Sequence, residues 1–598
     1  MNDARSQDAG KDPRSGGAGG FGKKAVPVFS RAFFGSKEPF SRIGSGEFGG
    51  KASGLIFIRD VLRSSFDASS FPGIEVDTPR SVVLTTEVFD AFIERNKLLD
   101  VALSDLPDDR MALAFQGADL PIEILGDLRA LVEEVKLPLA VRSSSLLEDA
   151  LFRPFAGIYA TKMIHNNQSD ATTRFKKLVE AIKFVYSSVY SRSAKSYIRT
   201  TDKTIRDEKM AVLIQEVVGD RWNERFYPQL SGVARSYNFY PTGASKPDEG
   251  VVNLALGLGK TIVDGGVTWA YSPAHPKAPP PYAGVGDLLK NSQTDFWAVN
   301  MGKPPAFDPT TETEYLVKGD LAEAEYDDTL RFLASTYDHR SERVVPGTWA
   351  EGPRILNFDQ ILVHEEIPLN NLIRALLEAC VAAVGADVEI EFAMTWPRGK
   401  TAPARFGFLQ VRPMVVSDEK VEITDEEFVS TQVLASSNRV MGNGVVEGVL
   451  DVVYVKPDGF EARFTPAIAA ELEKLNQPLL DEGRPYLLIG FGRWGSSDPW
   501  LGTPVDWGQI CGAKVIIEAT LPNMNVDPSQ GSHFFHNISS FKVSYLSVRF
   551  DRDRPIDWNW LGSKETVAET DHVRHVRLRA PLRIKVDGRA GRGAIWRE

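Results

Sequence analysis

Two short apolar segments near residue 400 carry polar side chains in a pattern that can do chemistry. The first contains Glu389 and Glu391, and the second contains Gln410 and Arg412. Side chains alternate between the two faces of a strand, so each pair shares one face. Mg²⁺ prefers oxygen ligands, and a planar guanidinium binds phosphate through two parallel hydrogen bonds. The pattern fits a metal–phosphate site, and the alternative is a solvated sheet face with ordinary salt bridges.

Three more segments contain groups that bind anions. Arg142 and three serines follow an apolar run, and Gly157 ends a Phe-Ala-Gly sequence that permits close backbone approach. Gly49, Gly50 and Lys51 place backbone amides and a lysine before a helical pattern. Together with the strand pair, these segments predict a nucleotide cleft.

Of the eight histidines, His533 and His536 have the most informative surroundings. Their spacing of three can place both on one helical face and so bind a metal, although no cysteine or third histidine is near. The other interpretation is a structural histidine in an aromatic core. Arg493 lies in a glycine-rich segment that either binds an anion or forms a rigid turn.

These groups need strands and helices to position them. Apolar periodicity predicts helices over Lys51–Ser64, Arg174–Tyr190 and Leu369–Val384, and strands over Pro79–Thr86, Leu137–Ser143, Met210–Val218, Val388–Thr395, Phe406–Met414, Asp451–Val455 and Ala513–Glu518. Prolines and acidic residues between 266 and 345 indicate a surface insertion. The mixture of helices and strands favours an α/β or α+β fold.

The composition is that of an ordinary globular protein, with 43% hydrophobic and 25% charged residues over 598 positions. Two cysteines far apart give neither a disulfide framework nor a zinc spacing, and suit the cytoplasm. The net charge of -11 argues against nucleic acid and anionic membranes as partners. We expect no membrane span, and a disordered arm over residues 1–39.

The segments described above, taken in order, resemble a known family. The resemblance rests on Gly49–Gly54, Pro79–Thr86, Val141–Asp149 with Phe155–Gly157, Ala211–Val218 with Ser231–Val233, Gly257–Gly259 with Asp264–Gly265, Glu389–Phe392 and Leu409–Pro413. The chain is similar here to the nucleotide-binding domain of phosphoenolpyruvate synthase, pyruvate phosphate dikinase and rifampin phosphotransferase. The resemblance implies a two-lobed ATP-grasp domain that binds ATP with Mg²⁺.

The resemblance also implies roles for individual residues. It implies phosphate contacts for Lys51, Arg142 and Arg412, phosphate-loop positions for Gly157 and Thr161, an adenine-side position for Gln215, and a metal- and nucleotide-contacting pair in Glu391 and Gln410. The insertion at 266–345 and the long loop Trp396–Arg405 depart from the family pattern. Gly259-Lys260-Thr261 is like the end of a P-loop, but Leu254 stands where that motif needs glycine.

The C-terminal part resembles the swivelling phosphohistidine domain of the same family. The similarity lies in Gly442–Gly448 with Asp451–Val455, and in the strand Ala513–Glu518 leading to Gly531-Ser532-His533. It implies that His533 is the phosphoryl carrier, because a helix start stabilises a phosphoryl group. Phe534 and Phe535 replace the small residues usual after that histidine.

The predicted fold is therefore α+β and multidomain, with a smaller α/β C-terminal domain. The predicted units are an N-terminal arm (1–39), two ATP-grasp lobes (40–230 and 231–416), a phosphohistidine-like domain (428–548) and an extension (549–598). The chain leaves no room for a pyruvate-binding barrel of about 250 residues. We therefore expect a phosphotransferase that acts through His533, Arg142 and Arg412 on an unknown small-molecule or protein acceptor.

Two other functions are compatible with the same residues. One is a non-catalytic ATP-binding regulator that uses its C-terminal domain to bind a partner. The other is an ATP-grasp ligase that activates a carboxylate as an acyl phosphate. The sequence leaves the acceptor, the nucleotide product and the oligomeric state open, with a homodimer among the options.

Overall fold

The protein is an α+β molecule built from several sheets. The structure, a computed structural model, describes residues 26–146, 148, 157–199, 204–278, 282, 284–397, 402–414, 416, 421–496, 498–524, 526, 537–538, 541–551 and 553–597. Across this described part, none of the helices combines the length and the apolar character needed to cross a membrane.

The elements up to Pro413 form the part of the chain that carries most of the predicted site. The strands are β1 (Phe40–Ile43), β2 (Ile74–Asp77), β3 (Ser81–Leu84), β4 (Leu139–Ser145), β5 (Thr161–Ile164), β6 (Met210–Glu216), β7 (Asp220–Trp222), β8 (Arg225–Tyr227), β9 (Leu230–Arg235), β10 (Val251–Ala255), β11 (Trp269–Tyr271), β12 (Asp295–Asn300), β13 (Leu316–Asp320), β14 (Ala334–Asp338), β15 (Arg343–Pro346), β16 (Arg354–Leu356), β17 (Val388–Thr395) and β18 (Ala404–Pro413). The helices are α1 (Gly49–Ser64), α2 (Thr86–Arg95), α3 (Leu99–Leu103), α4 (Asp108–Gln116), α5 (Ile122–Glu134), α6 (Ala171–Ser188), α7 (Arg192–Arg199), α8 (Lys260–Val263), α9 (Val285–Lys290), α10 (Leu321–Tyr326), α11 (Asp359–Leu362) and α12 (Leu369–Val384).

Two sheets position the predicted site. One has five strands in the order β1-β3-β6-β4-β5, and the other has six in the order β11-β10-β9-β17-β18-β2. Helix α1 contacts both sheets, at β4 and at β18. It can approach β18 closely because a side chain at Gly54 would begin only 3.3 Å from the Val411 carbonyl oxygen. Helix α1 thus packs against both sheets and links them.

The segment 266–345, which composition predicts to be a surface insertion, contains a strand that packs in the core. Its strand β12 pairs with β8, which precedes the segment, and with β13 inside it. Phe296 and Ala298 on β12 are fully buried. Other apolar side chains of the segment are buried as well, among them Ala324, Leu330 and Leu333.

The C-terminal part contains a second set of elements. Its strands are β19 (Val433–Ser437), β20 (Val440–Met441), β21 (Asn443–Val446), β22 (Asp451–Val455), β23 (Tyr486–Phe491), β24 (Arg493–Trp494), β25 (Gly502–Thr503), β26 (Ala513–Ala519), β27 (Ser544–Val548), β28 (Glu565–Glu569), β29 (Val573–Arg577), β30 (Arg583–Asp587) and β31 (Arg592–Trp596), and its helices are α13 (Asp425–Val429), α14 (Thr465–Asp481) and α15 (Trp558–Gly562). Seven strands form a mixed sheet in which β22, β23, β26 and β27 are parallel neighbours. The remaining larger sheet has the order β19-β31-β30-β21.

The C-terminal part shares a hydrophobic core with the five-stranded sheet and its helices. Tyr197 of α7 meets Phe541 edge to face, with ring centroids 4.9 Å apart. Phe541 in turn stacks on Trp507. Such aromatic contacts stabilise an interface beyond the area they bury, so the C-terminal part is docked on the rest of the chain.

Candidate functional site

The strand pair β17–β18 presents its polar residues on one face, as alternation predicts. Glu389 lies opposite Arg412, and Glu391 lies opposite Gln410. The register slips by one position directly after Glu391. The irregularity therefore leaves the two polar pairs aligned and affects only the apolar half of the ladder.

Arg142 joins this face to the five-stranded sheet. Its guanidinium donates to Gln215 Oε1 at 3.2 Å, to the Leu409 carbonyl oxygen at 3.0 Å and to Gln410 Oε1 at 2.7 Å. A carboxylate oxygen of Glu391 lies 3.7 Å from the same guanidinium. Four groups from two sheets thus converge on one arginine, which joins the two sheets.

A chain of charges continues across the six-stranded sheet. Arg412 contacts Glu391 through Nη2 and Glu389 through Nε, the second at 3.3 Å. Glu389 also accepts from Arg235 Nε at 2.6 Å. Arg412 and Glu389 are almost fully buried, whereas 13% of the Glu391 side chain is exposed. Buried charges need such pairing, and Glu391 keeps the most exposed surface of the four side chains in this chain of charges.

Lys51 contacts Ser143, the residue that follows Arg142 on β4. Its ammonium group donates to Ser143 Oγ at 3.1 Å and pairs with the buried carboxylate of Glu148. The helix that carries it starts at Gly49, whose φ is +71°. A Cβ at Gly49 would stand 1.7 Å from the Ser144 carbonyl oxygen, so glycine is needed for this approach.

The predicted phosphate-loop residues flank Arg142. Thr161 lies directly opposite Arg142 in the β4–β5 ladder. Gly157 is exposed and has a φ of +68°, a left-handed conformation that favours glycine. Phe155 and Ala156 lie outside the described residues. Ser143 N–H donates to the Ala160 carbonyl oxygen at 3.3 Å, so the backbone three residues after Gly157 pairs with the strand that carries Arg142.

An ion pair that the sequence did not indicate joins β5 to the 266–345 segment. Lys162 Nζ lies 2.6 Å from Glu314 Oε2, and both side chains are buried. Glu312 is solvent-exposed, yet surrounding protein raises its pKa, and Lys260, Asp264, Lys51 and Lys162 lie close enough to affect it.

Arg235 and Glu389 belong to the network although neither was predicted as a site residue. Glu389 shares its face with Glu391, so alternation identified the face but not the role. Arg235 lies opposite Glu389 on β9. Alternation along β9 puts Ser231, Val233 and Arg235 on one face of that strand. The pairing of β9 with β17 joins segments that are far apart in sequence, so the local pattern could not show that Arg235 lies beside Glu389.

His533 and His536 lie outside the described residues, between β26 and β27. Two other histidines have clear structural partners, because His572 Nδ1 lies 2.8 Å from Glu471 and His575 Nε2 lies 2.8 Å from Asp451. Burial acts to raise the pKa of Asp451, but hydrogen bonds from His575, Arg577 and Arg484 lower it to about 2.

Arg493 and Lys260 each have a structural partner. Arg493 donates to the Gly265 carbonyl oxygen at 2.9 Å, so it joins the C-terminal part to the nucleotide-binding side. Lys260 begins the four-residue helix α8 and pairs with Asp264 at 3.0 Å. The turn before it rests on β12, because Leu258 N–H donates to the Trp297 carbonyl oxygen. The segment is a turn that is hydrogen-bonded to β12, and it is not a P-loop.

No cluster of three or more His, Cys, Asp or Glu side chains within the described ranges is arranged to hold a metal ion.

Comparison with protein families identifies the region that contains Arg142, Glu391 and Gln410. A family model described as pyruvate phosphate dikinase, AMP/ATP-binding domain, matches residues 45–432, well over half of the chain. No curated protein sequence matches the chain.

Proposed function

The chain belongs to the pyruvate phosphate dikinase AMP/ATP-binding family, and from this membership we propose that it is an ATP-dependent phosphotransferase of the phosphoenolpyruvate synthase and dikinase type. The family supports ATP binding by residues 45–432. The proposal adds an ATP-grasp cleft around Arg142, and a second step at His533 that passes a phosphoryl group to an acceptor.

The observation that carries the proposal is the convergence on Arg142. A guanidinium that meets Gln215, the Leu409 carbonyl and Gln410 is held in one orientation between two sheets. Such preorganised cations stabilise the charge on transferring phosphoryl groups at no cost of reorganisation. We assign Arg142, Arg412 and Lys51 to the phosphates, Gln215 to the adenine side, and Gly157 and Thr161 to the phosphate loop.

Mg²⁺ fits this site through Glu391 and Gln410. Mg²⁺ in nucleotide sites takes one or two protein oxygens, and phosphates and water supply the rest, so a small donor set suffices. The Glu391 carboxylate has exposed surface, and the Gln410 side-chain oxygen is its neighbour across the strand pair. When bound, the ion would neutralise phosphate charge, while Arg412 and Arg142 hold Glu391 in place.

The proposed transfer begins with a ring nitrogen of neutral His533. Its lone pair attacks a phosphorus atom of ATP, an N–P bond forms, and the P–O bond to the nucleotide breaks with its electron pair on the leaving oxygen. Attack at the γ-phosphorus releases ADP. Attack at the β-phosphorus releases AMP, and water then removes the terminal phosphate. In the second step an acceptor oxygen attacks the remaining phosphorus, and the N–P electron pair returns to the ring.

The test uses the full chain with ATP labelled with ³²P at the β- or γ-position. The expected result is an acid-labile, base-stable label on the protein, lost in His533→Ala and retained in the neighbouring control His536→Ala. Chromatography of the nucleotide identifies the product, and AMP with inorganic phosphate supports the relay through the β-phosphorus.

The remaining outcomes argue against this relay. ATP binding without any label and without turnover would leave a regulatory ATP-binding protein. ADP formation without labelled protein, dependent on an added carboxylate, would instead indicate a ligase that works through an acyl phosphate.

A further inference from the structure

A cavity lies where the C-terminal part meets the six-stranded sheet. It has a volume of about 760 Å³, within the range of pockets that hold small molecules. One wall comes from β9, β10 and β11, and the opposite wall from Arg439, Arg493 and the turn 588–591 between β30 and β31. The cavity therefore exists only because the two parts of the chain are docked.

The lining of the cavity is strongly basic for a protein with a net charge of -11. The ionisable side chains that line it are Arg235, Lys290, Arg439, Arg493, Arg589 and, as the acidic one, Asp287. Aromatic side chains, among them Tyr237 and Trp269, line the same space. Arginines bind carboxylates and phosphates through paired hydrogen bonds and stack on flat groups. This chemistry fits an anion that carries an apolar, flat portion.

Asn253 supplies an independent indication of a ligand. This β10 residue is only 1% exposed, and it lines the cavity. Its Oδ1 accepts from Thr268 at 3.2 Å, but its Nδ2 has no hydrogen-bond partner among the described residues. A buried donor without an acceptor destabilises the folded protein. An anionic ligand in the cavity would provide that acceptor.

The cavity lies on the same sheet face as the nucleotide site. Arg235 and Val233 are opposite Glu389 and Glu391 on β17, and Asn253 is opposite Val233 on β10. The ion pair between Arg235 and Glu389 links the cavity wall to the nucleotide network. An occupant of the cavity would thus be a close neighbour of bound ATP across this face.

The segment with the candidate carrier histidine also starts at the cavity. Val526 lines it, and His533 follows seven positions later.

We propose that this cavity is a binding site for a small organic anion, one that carries a carboxylate or phosphate together with an apolar ring or other flat group. The binding itself is inferred from the cavity alone. The further statement that the anion is the second substrate of the ATP-dependent reaction rests on the proposed function.

The test measures binding of benzoate and phenyl phosphate to the full chain, with benzyl alcohol as the uncharged comparison. Saturating ATP is present so that the probes do not compete for the nucleotide site. Saturation-transfer NMR titrations are expected to detect both anions and to find benzyl alcohol at least about tenfold weaker, because charge-assisted hydrogen bonds dominate.

Two cavity variants and one matched control locate the site. Asn253→Asp places a carboxylate against the anion, and Arg589→Gln removes a cation from the rim. Each is expected to weaken both anions about tenfold or more. Arg592→Gln removes an exposed arginine a few positions from Arg589 that pairs with Asp425, and it should bind like the wild type. Melting temperature and ATP affinity are measured to establish that each variant is folded.

Three results would overturn the proposal: no transfer from either anion, equal binding of benzyl alcohol, or wild-type affinity in both cavity variants. The titration measures binding of the two anions, and its result does not depend on phosphoryl transfer. Failure of labelling at His533 would therefore remove the phosphotransferase and leave the anion site, whereas failure here would leave the phosphotransferase.

Discussion

Arg142 Nη2 lies 2.7 Å from Gln410 Oε1, although 268 positions separate the two residues in the chain. Arg142 belongs to the five-stranded sheet and Gln410 to the six-stranded sheet. The contact therefore joins the two sheets at the proposed site. Anything that disturbs it should affect nucleotide binding before it affects the stability of either sheet.

Replacement of Arg142 by lysine should weaken ATP binding about tenfold or more while it keeps the charge. An ammonium group is a point charge and cannot reproduce the fixed fork that meets Gln215, the Leu409 carbonyl and Gln410. Calorimetric titration with Mg-ATP measures the loss. Arg129→Lys, at an exposed position paired with Glu133 on α5, is the control. Wild-type affinity in Arg142→Lys would contradict the assigned role.

Replacement of Glu391 by glutamine should remove the dependence of ATP affinity on Mg²⁺. The variant keeps the shape of the side chain but loses the carboxylate that a hard cation prefers. Titration with ATP in Mg²⁺ and in EDTA should give a difference for the wild type and almost none for Glu391→Gln. Glu351→Gln, at an exposed ion pair with Arg340, should keep the difference. If Glu391→Gln keeps it too, Glu391 is not a metal ligand.

Replacement of Gly49 by alanine should destabilise the protein by well over 1 kcal/mol. The φ of +71° disfavours any side chain, and the new Cβ would collide with the Ser144 carbonyl. Thermal unfolding measures the change. Gly126→Ala is the matched control, since nothing lies within 4 Å of its added Cβ in helix α5, and it should be neutral or stabilising by up to about 1 kcal/mol. Similar melting temperatures for the two variants would argue against the close approach.

Replacement of Glu208 by glutamine should stabilise the protein at pH 8 more than at pH 5. Burial raises the pKa of Glu208 to about 7, with Tyr159 as its hydrogen-bond donor. The folded state therefore holds this proton more tightly than the unfolded state, so stability falls as pH rises from about 4.5 to 7. Each pKa unit corresponds to about 1.4 kcal/mol, and the full effect is on the order of 3 kcal/mol.

Denaturant unfolding of both proteins at several pH values measures this difference. The expected result is a gap that grows between pH 5 and 7 and then levels off. A gap that does not change with pH would mean that Glu208 is ionised in the folded protein throughout this range.

Local patterns predicted many elements with accurate bounds. Helix α12 and strands β17 and β22 start and end where apolar spacing predicted. Helix α6 begins three residues earlier than its apolar face, because Asp170 accepts from Thr173 N–H and caps it. Strand β3 ends at Leu84 because Thr86 already starts helix α2. The first difference is a capping effect and the second reflects the helix that follows the strand, and apolar periodicity reports neither.

The sequence by itself determined that Glu389 and Glu391 share one face of their strand, and that Gln410 and Arg412 share one face of theirs, because alternation in a strand is a local property. Ordered motifs likewise indicated the family. Only the tertiary structure decided that β17 pairs with β9 and so brings Arg235 to Glu389, and that Arg142 reaches Gln410. The physical reason is that strand partners and docked sheets are chosen by the burial of whole apolar faces, and the same long-range packing created the basic cavity beside the cleft.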